Sequence, residues 1–163
     1  MQEVTIYADG SSRGNPGNGG YGCIIHYRDK SNKLHKREFS QGYIYTTNNR
    51  MEIMGVIVGI EALIRPCKIH VVSDSKYVVD AFAKNWVYGW RKRGWRKASG
   101  EKVKNVDLWT RLLSAIEDSG HIVEFTWVKG HNSHPENEKC DKLATVAADG
   151  EDLIEDLQEM EEQ

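Results

Sequence analysis

The spacing of apolar residues changes several times along the chain, and each change marks an element. Val4–Ala8 is a short run of β-formers that ends on Asp9 and the turn residues Gly10-Ser11-Ser12. Tyr21–Tyr27 and Leu34–Phe39 read as two more strands joined by the polar turn around Asp29-Lys30-Ser31-Asn32, which predicts an antiparallel meander. Thr46-Thr47-Asn48-Asn49 then supplies helix N-cap candidates. In the helix that follows, Met51, Met54, Val58 and Ala62 form one apolar stripe, and Ile53, Ile57, Ile60 and Ile64 form another. A helix apolar nearly all round belongs in the interior. Gly55 and Gly59 lower its helix propensity, which predicts close approach of a neighbouring backbone. From Met51 to the stop at Arg65-Pro66 its only acids are Glu52, in the first turn, and Glu61.

Lys68–Ser73 predicts a fourth strand ending on Asp74, and Ser75–Ala83 a short helix. Asn105 stands where it can cap a helix in which Trp109, Leu112, Leu113 and Ile116 recur at i, i+3, i+4 and i+7. His121–Val128 predicts a fifth strand and Gly130–Pro135 a loop. A last helix carries Cys140, Leu143, Ala144 and Ala147 on one face before Gly150. The order β-β-β-α-β-α-(basic)-α-β-α implies an α/β domain. Its sheet is mixed and five-stranded, three antiparallel strands plus parallel ones, with helices on both faces.

A chain of 163 residues with 28% charged residues fits one globular domain. No apolar run reaches the length of a membrane span, and Met1–Gly10 lacks the basic and apolar regions of a secretory signal. Cys23, Cys67 and Cys140 are odd in number and have no metal-type spacing, so buried free thiols in the cytoplasm are expected. The net charge of −2 conceals a segregation. Lys84–Asn105 holds eight lysines and arginines against the single acid Glu101, whereas Asp149–Gln163 holds eight acids and no base. The basic block, residues 84–105, points to a polyanion. Residues 150–163, with an apolar edge at Leu153, Leu157 and Met160, are expected to form a frayed, solvated tail rather than a partner-binding helix.

Two patterns carry candidate chemistry. Gly17, Gly19 and Gly22 satisfy G-x-G-x-x-G, but they run into Cys23-Ile24-Ile25, a strand and not a helix start. A dinucleotide turn requires the helix, so that reading is set aside; Asn15-Pro16-Gly17 is a turn signal. The second pattern is acidic: Asp9 and Asp74 end strands, Glu52 opens a buried helix, and Asp141 lies beside the apolar stripe of the last helix. Taken singly, Asp74 could be an N-cap, Asp9 a turn organiser, Glu52 a helix-end charge and Asp141 a surface acid. If the strands ending on Asp9 and Asp74 are parallel neighbours, these acids converge. Carboxylates about 5 Å apart repel by roughly 3 kcal/mol per pair at an effective dielectric of 20. Such a cluster persists only with protons or cations, and an oxygen-only set suits Mg²⁺ or Mn²⁺. Acids beside a basic block bearing Trp86, Trp90 and Trp95 suggest metal-assisted phosphoryl chemistry on nucleic acid.

Six stretches, in order, resemble the bacterial type 1 ribonucleases H, which cut the RNA strand of RNA–DNA hybrids. They are DGSSRGNPGNGGYG (9–22), TTNNRMEIM (46–54), SDSKYV (73–78), WRKRGW (90–95), VKNVDLW (103–109) and WVKGHNSHPENEKCDKLA (127–144). The resemblance implies the ribonuclease H-like fold and a two-metal site held by Asp9, Glu52, Asp74 and Asp141. In that family Asp9 bridges both ions. The ion shared with Asp141 activates water, and the one shared with Glu52 and Asp74 stabilises the leaving 3′ oxygen, giving 5′-phosphate and 3′-hydroxyl ends. His131 matches a mobile-loop histidine that assists proton transfer or product release. Asn15, Asn48 and Asn49 match minor-groove contacts, where 2′-hydroxyls distinguish RNA. Thr47 and Asn105 match a pocket for a DNA phosphate. The basic block, with Trp86, Arg91, Lys92, Arg93 and Trp95, matches the substrate-binding protrusion.

Tyr45 stands where relatives often carry arginine, and Lys76 where glutamine is common, which puts those two contacts in question. The resemblance implies a cytoplasmic, monomeric enzyme with an RNA–DNA hybrid as partner, no membrane and no obligate protein partner. A non-catalytic hybrid-binding module, or another nuclease of the same fold, are the alternatives.

Overall fold

The computed structural model describes residues 1–130 and 134–157, so His131 and the end of the tail lie outside the described residues. Strands β1 (Gln2–Ser12), β2 (Gly17–Arg28) and β3 (Leu34–Thr46) form the antiparallel meander. The β1–β2 ladder continues to Ser12↔Gly19, so the later glycines lie within a strand rather than in a loop. β4 (Cys67–Ser73) runs parallel to β1 with Ala8 opposite Ser73, and β5 (Ile122–Trp127) runs parallel to β4.

The sheet has six strands in the order β5-β4-β1-β2-β3-β6, one more than expected. The additional strand is β6 (Leu153–Glu155), which pairs parallel with Gly42–Ile44 of β3. It falls in the segment expected to fray. Leu153 is half-buried, Gln41 Nε2 donates to the Asp152 carbonyl at 3.1 Å, and the Asp156 carboxylate is buried against Arg50. A run of acids reads as a solvated tail only while the cation that one of them seeks, over a hundred residues away, is unknown.

Helix α1 (Asn48–Glu61) begins at an N-cap, Thr47, whose hydroxyl accepts from the Arg50 N–H at 3.2 Å. It covers one face of the sheet and α5 (Pro135–Asp149) the other. Two glycines in β1 and β2 set both separations. A Cβ at Gly10 would lie 2.3 Å from the Glu52 nitrogen, and a Cβ at Gly22 would lie 2.3 Å from the Cys140 oxygen. Gly22 pairs with Asp9 and therefore shares its face, while Gly10 points the opposite way. Ile64 does not continue the second apolar stripe, because α1 ends at Glu61 and Ile64 is 92% exposed.

Helices α2 (Lys76–Ala83), α3 (Trp86–Lys92) and α4 (Val106–Glu117) complete the α1 side. Ser75, not Asp74, caps α2, accepting from Val78 N–H at 3.2 Å. Asn105 precedes α4 but makes no capping bond; it is held at φ +63° with its amide engaged elsewhere. Leu108, Trp109, Leu112, Leu113 and Ile116 of α4 are buried against the core built on α1 and the sheet. The three cysteines are free and buried, as expected. No helix among the described residues is long and apolar enough to cross a membrane.

Because the Gly22 contact is with a main-chain carbonyl that cannot swing away, Gly22→Ala is expected to cost at least the ~1–3 kcal/mol typical of overpacking. A urea melt showing unchanged midpoint and slope would contradict this packing of α5.

Candidate active site

The parallel pairing of β1 with β4 brings Asp9 and Asp74 out at the same sheet end, one residue beyond the Ala8–Ser73 pair. Glu52 reaches them from the other side, because α1 passes over Gly10 with no side chain between. Asp9, Glu52 and Asp74 each present a ligand atom within 4.8 Å of the others. Asp9 and Glu52 are 3% and 5% exposed, and Asp74 is partly exposed. Glu52 lies one turn deeper in its helix than expected, since α1 starts at Asn48, so the helix end does not explain its burial. Asp141 stands outside this trio, on α5, where its charge still acts on Asp9.

Burial is the main force on these groups. It pushes the Asp9 carboxyl up to about 8, helped by the charges of Asp74 and Asp141 and opposed by hydrogen bonds with Glu52 and the Gly10 N–H. Burial, then the charge of Asp9, holds the Glu52 carboxyl well above its ordinary range. Glu52 Oε2 is buried with no hydrogen-bond partner. Converging oxygens, an unsatisfied buried one among them, and no sulfur or nitrogen donor fit a hard divalent cation.

The loop after β5 closes on the same point. A Cβ at Gly130 would lie 2.8 Å from Asp74 Oδ2, and the Trp127 indole N–H donates to the Asp74 carbonyl at 3.0 Å. Gly130 leads directly into His131, which lies outside the described residues. On the far side of the loop, His134 packs on Tyr7 with ring centroids 5.5 Å apart.

The polar residues expected to meet substrate fall in two groups. Asn15, Asn48 and Asn49 are exposed beside the start of α1, and Asn15 Oδ1 accepts from the Asn48 N–H at 3.0 Å. Asn49, Tyr77, Trp86, Trp90, Arg93, Lys97, Lys104 and Asn105 line a groove of about 450 Å³ beside the basic block. Trp90 packs on Trp109 at 5.7 Å and half-buried Trp95 joins the core, whereas Trp86 is 43% exposed under Lys84. Thr47 is engaged as the α1 cap.

Lys92 and Arg93 are exposed, but Arg91 makes a two-bond ion pair with Glu117 at 2.8 and 3.1 Å. Lys76 lies over the Trp127 ring at 4.9 Å, and Tyr45 is 65% exposed at φ +52°. A larger depression of about 1000 Å³ covers the open sheet face around Thr5, His26, His70 and Glu124, away from the carboxylate trio.

Sequence reasoning missed Arg50. This residue is 1% exposed and binds Asp156 through Nε and Nη2 at 2.7 and 2.9 Å. It also binds Asp107 through Nη1 and Nη2 at 3.0 and 2.8 Å, and Asn105 Oδ1 through Nη1 at 3.2 Å. The one available signal was a cation just ahead of a run of apolar residues. Its partners are far away in sequence and left no pattern.

The chain is thus an α/β domain whose mixed sheet gathers acids at the ends of β1 and β4. The RNase H family model matches residues 1–149, and the chain belongs to the RNase H family. The ribonuclease H of Lachnoclostridium phytofermentans is 57% identical over 155 residues, covering 94% of this chain and 97% of that protein. The ribonuclease H of Tolumonas auensis is 49% identical over 148 residues, covering 91% of each. Among solved structures, LC9-RNase H1, a type 1 RNase H with the type 2 active-site motif, is 33% identical with a TM-score of 0.80. That alignment covers 91% of this chain and 72% of the other. The enzyme class is therefore ribonuclease H.

The raised Asp9 carboxyl has a direct consequence for the metal-free protein. A group protonated in the folded state up to about 8 but only to its ordinary value of 3.8 when unfolded contributes stability at low pH. That contribution is lost as pH rises through about 8. In EDTA, the melting temperature of the wild type is expected to fall from pH 5 to pH 8 more steeply than that of Asp9→Asn. Parallel pH profiles for the two proteins would contradict the buried, proton-sharing arrangement.

Proposed function

We propose that the chain hydrolyses the RNA strand of RNA–DNA hybrids by a two-metal reaction, leaving 5′-phosphate and 3′-hydroxyl ends. The observation that carries this reading is the convergence of Asp9, Glu52 and Asp74 within 4.8 Å, with a buried Glu52 oxygen left unpaired. Two Mg²⁺ ions, for which Mn²⁺ can substitute, would supply a lowered water pKa and charge stabilisation at the leaving oxygen when bound. Asp9 would be shared between them, with Asp141 on the water side and Glu52 and Asp74 on the leaving-group side.

The residues of the chain do the rest. The Gly10 N–H holds Asp9 Oδ1 at 2.8 Å and fixes its rotamer. Gly130 approaches Asp74 closely, and His131, outside the described residues, would serve as the proton-transfer residue. Asn15, Asn48 and Asn49 face the minor groove, where a 2′-hydroxyl identifies the RNA strand. Asn105 and Thr47 grip a DNA phosphate, and the protrusion at 84–105 follows the backbone beyond it. The enzyme works as a cytoplasmic monomer in this reading, with residues 1–149 as its catalytic part.

Incubation with hybrid, double-stranded RNA and double-stranded DNA, with Mg²⁺ or EDTA, tests the class directly. Cleavage is expected only in the RNA strand of the hybrid and only with metal. Asp9→Asn should abolish cleavage while hybrid binding persists; near wild-type cleavage by this variant would sink the metal assignment.

The protrusion gives a second test. Lys92→Ala with Arg93→Ala should raise KM and flatten its salt dependence by about 0.7–0.9 in log–log slope per lost phosphate contact. Arg91→Ala should change the slope less, because its guanidinium is held by Glu117. An unchanged slope in the double variant would assign the block to another partner.

A further inference from the structure

We infer that Asp156, beyond the residues matched by the family model, is a positioning residue for substrate grip, acting through Arg50 on the side-chain amide of Asn105. The inference rests on the reading above that Asn105 contacts a substrate phosphate. β6 lies at the edge of the sheet and leads the chain back across Thr46 to Arg50. There the Asp156 carboxylate, 2% exposed, accepts from Arg50 Nε and Nη2 and from the Thr46 hydroxyl at 2.6 Å. The opposite edge of the same guanidinium holds Asp107, at the start of α4, and Asn105 Oδ1. One buried cation thus ties α1 and the chain after β6 to the segment that bears Asn105 and Asp107.

The chemistry of arginine gives that tie a direction. A guanidinium only donates, so the Asn105 group facing it must be the carbonyl oxygen, and the amide nitrogen must face the other way. That nitrogen donates to the Tyr77 hydroxyl at 3.1 Å, and both Asn105 and Tyr77 line the groove beside the basic block. A phosphate oxygen is an acceptor, so only this orientation offers the groove a donor. Asn105 also holds φ +63°, a left-handed conformation that asparagine adopts more readily than other non-glycine residues.

Asp156 fixes the guanidinium from behind. Without that carboxylate, the two bonds to Nε and Nη2 are lost while those to Asp107 remain, so the guanidinium can tilt about Asp107 and its bond to Asn105 Oδ1 is no longer fixed. Asp156 therefore acts on binding and not on the bond-breaking step, since among the described residues its hydrogen-bond partners are Arg50 and Thr46 and not the carboxylate trio.

The test is steady-state cleavage of an RNA–DNA hybrid by the full-length wild type, Asp156→Asn, Asn105→Ala and the double variant, well below the lowest melting point. Asn105→Ala is expected to raise KM about tenfold, the scale of one hydrogen bond to a charged group, with kcat nearly unchanged. Asp156→Asn is expected to raise KM about three- to tenfold, also with kcat unchanged, and to lower the melting temperature. The double variant should exceed Asn105→Ala by no more than about twofold, because both changes remove the same contact. Asp156→Glu should restore much of the lost KM.

If Asn105→Ala leaves KM unchanged, the substrate reading of Asn105 fails. If Asn105→Ala raises KM while Asp156→Asn lowers only the melting temperature, or if the two effects multiply, the positioning role is overturned and the tail is merely structural. Should Asp156→Asn fail to fold, Thr46→Val removes the hydroxyl that steadies Asp156 and gives the same comparison in milder form.

Discussion

Mutual repulsion among buried carboxylates is the constraint around which this fold is arranged. Three acids with oxygens within 4.8 Å of one another, two of them almost fully buried, oppose folding unless protons or cations neutralise them. The scaffold absorbs that cost with backbone rather than with flexible side chains. Parallel pairing fixes Asp9 beside Asp74, and the bare backbone of Gly10 lets the α1 main chain come close enough to deliver Glu52. A bulkier residue at either approach would separate the acids. The apolar character of α1, unusual for a helix bearing a functional acid, follows from the same need, because it must be buried along its length to hold Glu52 in place.

A second buried electrostatic centre lies at the amino-terminal end of the same helix and works in the opposite sense. There a single cation, Arg50, is surrounded by Asp107 and Asp156, so its burial is compensated by pairing. Removing one partner from such a cluster typically costs about 3–5 kcal/mol, since the remaining charge is left unpaired in a poor solvent. Arg50 and Glu52 are two residues apart and point to different sides of α1, so the helix carries an ion-paired cation on one side and a carboxyl with an unpartnered oxygen on the other. The first locks the helix to β6 and α4, and the second remains available to a ligand.

Much of this was legible in the residues. The meander, the buried helix, the β4 strand and the acids at strand ends all follow from local periodicity and from which residues punctuate it, whereas the parallel pairing of β4 with β1 stood only as a condition. The glycines of 17–22 belong to strand β2 and no helix follows them, and in the fold Gly20 and Gly22 admit α5. What could not be read was long-range pairing. The acids after Asp149 look like a solvated tail by composition, yet Asp156 finds its partner across the sheet and draws Leu153–Glu155 into a sixth strand. The ion pair of Arg91 with Glu117 was hidden for the same reason, since Glu117 is invisible as its partner until α3 and α4 are placed. Asn105 looked like a cap, and its left-handed backbone and its bond to Arg50 appear only in three dimensions.

The central claim is that the carboxylate cluster is maintained for a cation, with protons as its substitute. Isothermal titration of the EDTA-treated protein with Mn²⁺ at pH 7, in two buffers of different ionisation enthalpy, measures this directly. Because burial raises both the Asp9 and the Glu52 carboxyls, metal entry should release protons, and the apparent enthalpy should differ between the buffers by about one ionisation enthalpy or more per protein. Binding with identical heats in both buffers, or equal binding by Asp9→Asn, would contradict it.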